Sequence, residues 1–191
     1  LCRVPDWSES ATITRDYASM SRASLVVLLF PESADRLQRQ IPTGRFCYLG
    51  HVINEHPLAP PHLSDSSLLP CERPYSLLFV GRKRYLDGLH RLFSALSLLP
   101  NDLSVELHVI GIAPQDFVSP MPQKNITLHG YLSKAVEPER NKYYQLLNQA
   151  DIIINASKLW GGISATIEAM SRCTSVITPP YAEFKMMFGY D

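Results

Sequence analysis

The chain has 191 residues, enough for one large domain or one domain plus part of another. Its apolar fraction of 46% is ordinary for a globular fold, and 18 Lys+Arg balance 18 Asp+Glu. A charge-neutral chain argues against nucleic-acid partners held by phosphate neutralisation, and no apolar run reaches the roughly 20 residues of a membrane span.

In chain order, the sequence begins at Leu1 without a signal-peptide pattern and stops at Asp191 just after an expected helix, as in a fragment cut at both ends. Arg15 to Arg22 reads as a short helix. The continuous apolar run Leu25 to Phe30 predicts a strand buried on both faces. Pro31 then opens a helix to Gln40, with Glu32 at the positive end of its dipole. Phe46 to Leu49 is a further short strand. So few strands cannot bury a core alone, so residues 1–55 are expected to be the tail of a larger domain. Residues 56–74 hold Pro57, Pro60, Pro61, Pro70 and Pro74 and read as an interdomain linker, because proline removes a backbone donor and fixes φ.

From residue 75 to 191 the pattern alternates. Strands are expected at Tyr75–Val80, Val105–Ile110, Asn125–His129, Asp151–Asn155 and Ser175–Thr178. Helices are expected at Leu86–Leu98, Glu139–Gln149, Ile163–Arg172 and Ala182–Phe188. Leu89, Leu92, Phe93, Leu96 and Leu99 mark the inner face of the first of these helices. Tyr143, Leu146 and Leu147 mark the second, and Ile163, Ile167 and Met170 the third. This order predicts an α/β fold with a Rossmann-like parallel sheet and flanking helices.

Ligands of such sheets bind outside the carboxyl ends of the strands. Those ends read Gly81-Arg82-Lys83-Arg84, Gly111, Gly130-Tyr131 and Asn155-Ala156-Ser157-Lys158. Three cations after the first strand suit a phosphate, since a guanidinium grips it through paired charge-assisted hydrogen bonds. Gly161-Gly162-Ile163-Ser164 opens the helix that carries Glu168; its first N–H groups lack partners and form an anion site, with Ser164 as the expected N-cap. Glu168 is then a candidate acceptor for ligand hydroxyls such as those of ribose. Neither a Walker loop nor Gly-x-Gly-x-x-Gly follows the first strand. The four cysteines form no Cys-x-x-Cys pair and read as free thiols, so no metal site is expected. The Asn-x-Ser/Thr matches at Asn125 and Asn155 fall at strand positions and read as chance.

Taken in order, Leu77-Leu78-Phe79-Val80-Gly81-Arg82, Val105 to Gly111, Ile126 to Tyr131, Ala150 to Asn155 and Glu168-Ala169-Met170 resemble the donor domain of GT-B-fold glycosyltransferases of the retaining "group 1" type. Tyr17 to Glu55 is similar to the end of the acceptor-side domain. The resemblance implies transfer of a sugar from a nucleotide sugar, UDP- or GDP-linked, to an acceptor hydroxyl with retention and without a bound metal or other cofactor. It implies that Gly81 and Arg82, aided by Lys83 or Lys158, hold the donor phosphates. Gly161, Gly162 and Ser164 would meet the sugar, Glu168 the ribose, and Tyr131 and Leu132 the base. The acceptor would be a glycan, a lipid-linked molecule or a protein, in glycan biosynthesis. The enzyme is expected in the cytoplasm or at a membrane surface reached through the missing domain, with the fragment itself inactive.

Two positions depart from the family pattern. A glutamate usual eight residues before Glu168 is Trp160 here, and a lysine usual five residues after Arg82 is Asp87. These departures motivate an alternative, a non-catalytic GT-B-like subunit or scaffold that binds a nucleotide or a partner. Another nucleotide-sugar enzyme of this fold, such as an epimerase, is a third reading.

Overall fold

The structure, a computed structural model, describes residues 7–28, 30–50, 73–117, 125–157 and 163–179. The chain divides into two compact units, Leu1–Val52 and Ile53–Asp191. The expected helix Ala182–Phe188 and most of the proline-rich linker lie outside the described residues, as do His51 and His56.

In the first unit, helix α1 (Trp7–Arg22) extends well before the expected Arg15. Strand β1 (Val26–Leu28), helix α2 (Pro31–Gln40) and strand β2 (Phe46–Tyr48) follow. β1 and β2 pair in parallel, with Val26 opposite Phe46 and Leu28 opposite Tyr48. α2 keeps the bounds expected of it, with Pro in its first turn and Glu32 beside it. The Tyr17 hydroxyl donates to Gln40 Oε1 at 2.5 Å, tying α1 to the end of α2. The expectation of a strand buried on both faces fails: Val27 is 51% exposed. Successive side chains of a strand face opposite sides of the sheet, and among the described residues the side that Val27 faces is left half open.

The second unit holds a five-stranded, wholly parallel sheet in the order β5-β4-β3-β6-β7. The strands are β3 (Tyr75–Val80), β4 (Val105–Ile110), β5 (Ile126–Gly130), β6 (Ile152–Ile154) and β7 (Ser175–Ile177). Helices α3 (Leu86–Leu96), α4 (Glu137–Gln149) and α5 (Ile163–Met170) connect or follow them. β3 runs centrally, and Leu77, Leu78 and Phe79 are buried in succession, as a parallel strand covered on both faces requires. Leu89, Leu92 and Phe93 of α3 and Tyr143, Tyr144, Leu146 and Leu147 of α4 complete the core. A leucine as fully buried as Leu89 contributes roughly 1.5–3 kcal/mol relative to exposure.

Two faces differ from the sequence reading. α3 ends at Leu96, so Leu99 leaves the helical stripe and is 38% exposed. On α5 the inward residues are Ala165, Thr166, Glu168 and Ala169, while Met170 is 42% exposed. Small side chains let this helix pack closely, so its larger apolar residues misreport the buried face. The described part of the expected inner face is thus corrected from Ile167 and Met170 to the alanines.

The chain also reverses its direction of growth across the sheet at β3. β4 and β5 are added on one side of it, β6 and β7 on the other. Such a switch point opens a crevice at the strands' carboxyl ends. The ends of β3 and β6 are stapled there. Asn155 Nδ2 donates to the Val80 carbonyl at 3.0 Å, and its Oδ1 accepts from the Ser157 N–H at 2.9 Å. Ser157 Oγ donates to the Tyr85 carbonyl at 3.0 Å, just before α3. Gly88 permits this approach, since a Cβ there would lie 2.0 Å from Ser157 Oγ.

Candidate functional site

The crevice contains an open cavity of about 490 Å³. Its floor is the end of β3 (Val80, Gly81, Arg82) and of β4 (Ile110, Gly111). Arg84 and Tyr85 enter from the turn before α3, and Tyr131, Leu132 and Lys134 from the segment after β5. Tyr143 of α4 and the first turn of α5, Ser164 and Ala165, close the remaining side. The lining has three cations, Arg82, Arg84 and Lys134, and no carboxylate among the described residues. In a crevice walled by apolar groups such a set attracts anions.

The backbone around Arg82 is ordered by ladder bonds that run past the strands. The Gly81 N–H donates to the Ile110 carbonyl at 3.0 Å, and the Gly111 N–H to the Gly130 carbonyl at 2.6 Å. Gly111 has φ +90, and a Cβ there would lie 2.2 Å from the Gly81 carbonyl oxygen. Glycine is therefore required by both conformation and space. Arg84 is steered by its own neighbour: its Nη2 donates to the Tyr85 hydroxyl at 2.7 Å, and its guanidinium lies 4.8 Å from that ring's centre.

Glu168 lies behind the lining, 7% exposed. Lys134 Nζ donates to both of its carboxylate oxygens at 2.6 Å, and the Tyr143 hydroxyl donates to Oε2 at 2.8 Å. The ammonium also sits 4.2 Å from the centre of the Tyr143 ring. Burial, followed by the charge and hydrogen bond of Glu168, pushes the Tyr143 hydroxyl far above the ordinary phenol range, so it stays a donor.

The structure thus gathers Gly81, Arg82, Tyr131, Leu132 and Ser164 around one cavity, with Glu168 one side chain behind it. Tyr131 is 68% exposed, an aromatic face open to a flat ligand. Lys83 is not among the lining residues; its ammonium is 3.6 Å from Asp116. Ser164 is not the N-cap, because α5 begins at Ile163 and Ser164 is already within its first turn. Lys158, Trp160, Gly161 and Gly162 lie outside the described residues. Among the lining residues that the sequence reading did not assign to the site are Lys134 and Tyr143. Tyr143 reads in sequence as core, and only its hydroxyl, invisible to periodicity, reaches Glu168.

This arrangement has counterparts among solved structures. No protein-family model and no curated protein sequence matches the chain. Its fold is that of the GT-B glycosyltransferases, an α/β parallel sheet with flanking helices. A sucrose-phosphate synthase from Thermosynechococcus elongatus superposes with a TM-score of 0.62 at 19% identity, over 96% of this chain and 48% of that one. TarM from S. aureus, in complex with fondaparinux, alpha-GlcNAc-glycerol and UDP, gives 0.63 at 12% identity, over 98% and 37%. A GtfA/B complex gives 0.53 at 14% identity, over 93% and 34%. The chain therefore spans about half or less of the length of these proteins. Among the described residues no helix is long and apolar enough to cross a membrane.

Proposed function

We propose that the chain carries the donor-binding part of a glycosyltransferase that moves a sugar from a nucleotide sugar to an acceptor hydroxyl. The observation that supports this most is the cavity at the switch point, where Arg82, Arg84 and Lys134 converge and no acid among the described residues lines the wall. A nucleoside diphosphate is the leaving group of such a transfer, and the charge it gathers as the glycosidic bond breaks is what fixed cations stabilise. Arg82 grips the diphosphate. The first turn of α5, with Ser164, adds unpaired N–H groups and the positive end of a helix dipole. Tyr131 and Leu132 offer the surface for the base, and Glu168 the acceptor for ribose hydroxyls. The sequence resemblance assigns Gly161 and Gly162 to the sugar and Lys158 to the phosphates, and all three lie outside the described residues.

Retention, and a donor linked to UDP or GDP with no further cofactor, extend this reading from the sequence resemblance. Residues 1–55 then belong to the acceptor-side domain, 56–74 to the linker and 75–191 to the donor domain. A cytoplasmic setting and a glycan, lipid-linked or protein acceptor complete the proposal. The TarM structure holds UDP, which makes UDP the first ligand to try. Saturation near 100 times its Kd is expected to stabilise the chain by about 2.7 kcal/mol, a rise in Tm of roughly 5–10 °C. A thermal-shift series with UDP, GDP and the free nucleosides checks this, and the absence of a shift with every diphosphate sinks the donor-site reading.

A second reading, a nucleotide-binding subunit without transferase activity, is favoured by Asp87. Its carboxylate faces Arg91 at 4.0 Å on the surface of α3 and contributes nothing to the cavity wall. Binding of a diphosphate by the full two-domain protein without transfer or hydrolysis of any nucleotide sugar selects this reading.

A further inference from the structure

We propose that Lys134 is an exchangeable cation, one that neutralises Glu168 in the resting geometry and passes to a phosphate oxygen when a diphosphate enters, leaving Glu168 to accept from hydroxyls of the same ligand. This rests on the reading of the cavity as a donor site.

The argument is about which partner can move. Glu168 is fixed: its side chain is 9% exposed, it projects from α5, and Tyr143 holds Oε2. Lys134 is at the boundary, with its side chain 39% exposed and lining the cavity that Arg82 and Arg84 also line. Its backbone is anchored on both sides. The Ser133 N–H donates to Glu139 Oε2 at 2.6 Å, and Arg140 Nη1 donates to the Lys134 carbonyl at 3.3 Å. The loop therefore stays in place while the four-carbon stem turns. The ammonium also lies 4.2 Å and 5.5 Å from the centres of the Tyr143 and Tyr144 rings.

Its departure takes the ammonium from a buried carboxylate, which is costly unless other donors arrive. After the turn Oε2 keeps the Tyr143 hydroxyl and the carboxylate keeps its hydrogen bond with Tyr144, and hydroxyls of the ligand take the place the ammonium leaves. A ligand with phosphates and a vicinal hydroxyl pair supplies both halves of the exchange. Inorganic pyrophosphate supplies only the first. Lys134 and Glu168 thus act as one device that favours a nucleoside diphosphate over a bare diphosphate.

Isothermal titration of the full chain with inorganic pyrophosphate and with UDP tests this. In Glu168→Gln the ammonium is no longer held by a carboxylate, so pyrophosphate is expected to bind about 3- to 10-fold more tightly than to the wild type. UDP is not expected to gain, because its hydroxyls lose their charged acceptor. The double variant Lys134→Met/Glu168→Gln, which buries no unpaired charge, is expected to lose the gain and fall below the wild type. The proposal is overturned if Glu168→Gln leaves pyrophosphate affinity unchanged or lowers it, or if the double variant binds as well as the single one. If the wild type binds neither compound, the donor-site reading fails and the exchange with it. If UDP binds in a manner that depends on Arg82 while Glu168→Gln shows no gain, the donor site stands and the exchange alone falls.

Discussion

At the carboxyl end of the five-stranded sheet the cavity measures about 490 Å³, and at the amino end of β4 and β5 a second one measures about 500 Å³. The two are nearly equal in size and differ in charge. The first carries Arg82, Arg84 and Lys134 and faces the first turn of α5. The second mixes leucines such as Leu96 and Leu103 with the neutral polar residues Ser97, Asn101, Ser104 and Asn125, has no charged residue among those described, and faces the end of α3. Chain direction explains the contrast. In a parallel sheet the helices start at the carboxyl ends of the strands, so their positive poles gather there, and their carbonyl ends gather at the other side. Volume alone does not separate the two ends, whereas charge and helix polarity do.

The comparison can be pressed hardest through the backbone. Gly111→Ala places a Cβ 2.2 Å from the Gly81 carbonyl oxygen at a φ of +90. The loss of stability is expected to reach about 3 kcal/mol, from overpacking and left-handed strain together. Ser104→Ala, at the amino end, is expected to stay within about 0.5 kcal/mol. Urea midpoints measure both. Equal midpoints would mean that the carboxyl end is not built to the tolerance its geometry implies.

A smaller effect separates the ends by function. Arg82→Ala removes a guanidinium from the cavity and is expected to weaken UDP binding roughly 10- to 100-fold, the range set by a charge-assisted hydrogen bond. Leu103→Ala, in the wall of the other cavity, is expected to leave UDP affinity unaltered. Calorimetry on both variants decides it; a loss of affinity in Leu103→Ala would place the ligand at the wrong end.

Much of this was readable in the sequence, for reasons that differ by element. Tyr75–Val80 is a largely apolar run and Val105–Ile110 alternates apolar residues with Glu106 and His108, each is closed by glycine, and the structure keeps those bounds. Short β6 and β7 keep their place in the order and lose a residue at their ends, where pairing stops. The place of Arg82 at the cavity was legible because a residue that follows a strand's carboxyl end falls at the edge of a parallel sheet where crevices open. The staple made by Asn155 and Ser157 was not legible, since a polar strand end looks the same whether it faces a ligand or ties two loops together. Lys134 was missed because its significance lies in a carboxylate 34 residues away. The burial of Glu168 was not legible because the sequence marks Ile167 and Met170 as the inner face of α5, whereas the helix buries Ala165, Thr166, Glu168 and Ala169.

Between the two ends lies the smallest expected effect. His108 on β4 and His129 on β5 face one another, Nδ1 to Nε2 at 3.1 Å, with ring centres 5.3 Å apart. Burial lowers the affinity of both rings for a second proton. Lys142 of α4 adds to this for both, His108 adds to it for His129, and Glu106 opposes it for His108. The folded chain therefore holds these rings neutral at a pH where the unfolded chain, with imidazoles near 6.5, begins to bind protons. Their contribution to stability is full above that value and shrinks as the pH falls from about 6.5 toward the lower folded values. The urea midpoint of the wild type is expected to fall between pH 7.5 and 5.5. His108→Gln/His129→Gln keeps hydrogen-bonding groups that do not titrate, and its midpoint is expected to fall less. The difference is modest, because both rings keep partial access to water, which screens the charge they would acquire. An identical pH slope in the two proteins would show that this pair does not sense protons and that the middle of the sheet, unlike its ends, is electrostatically silent.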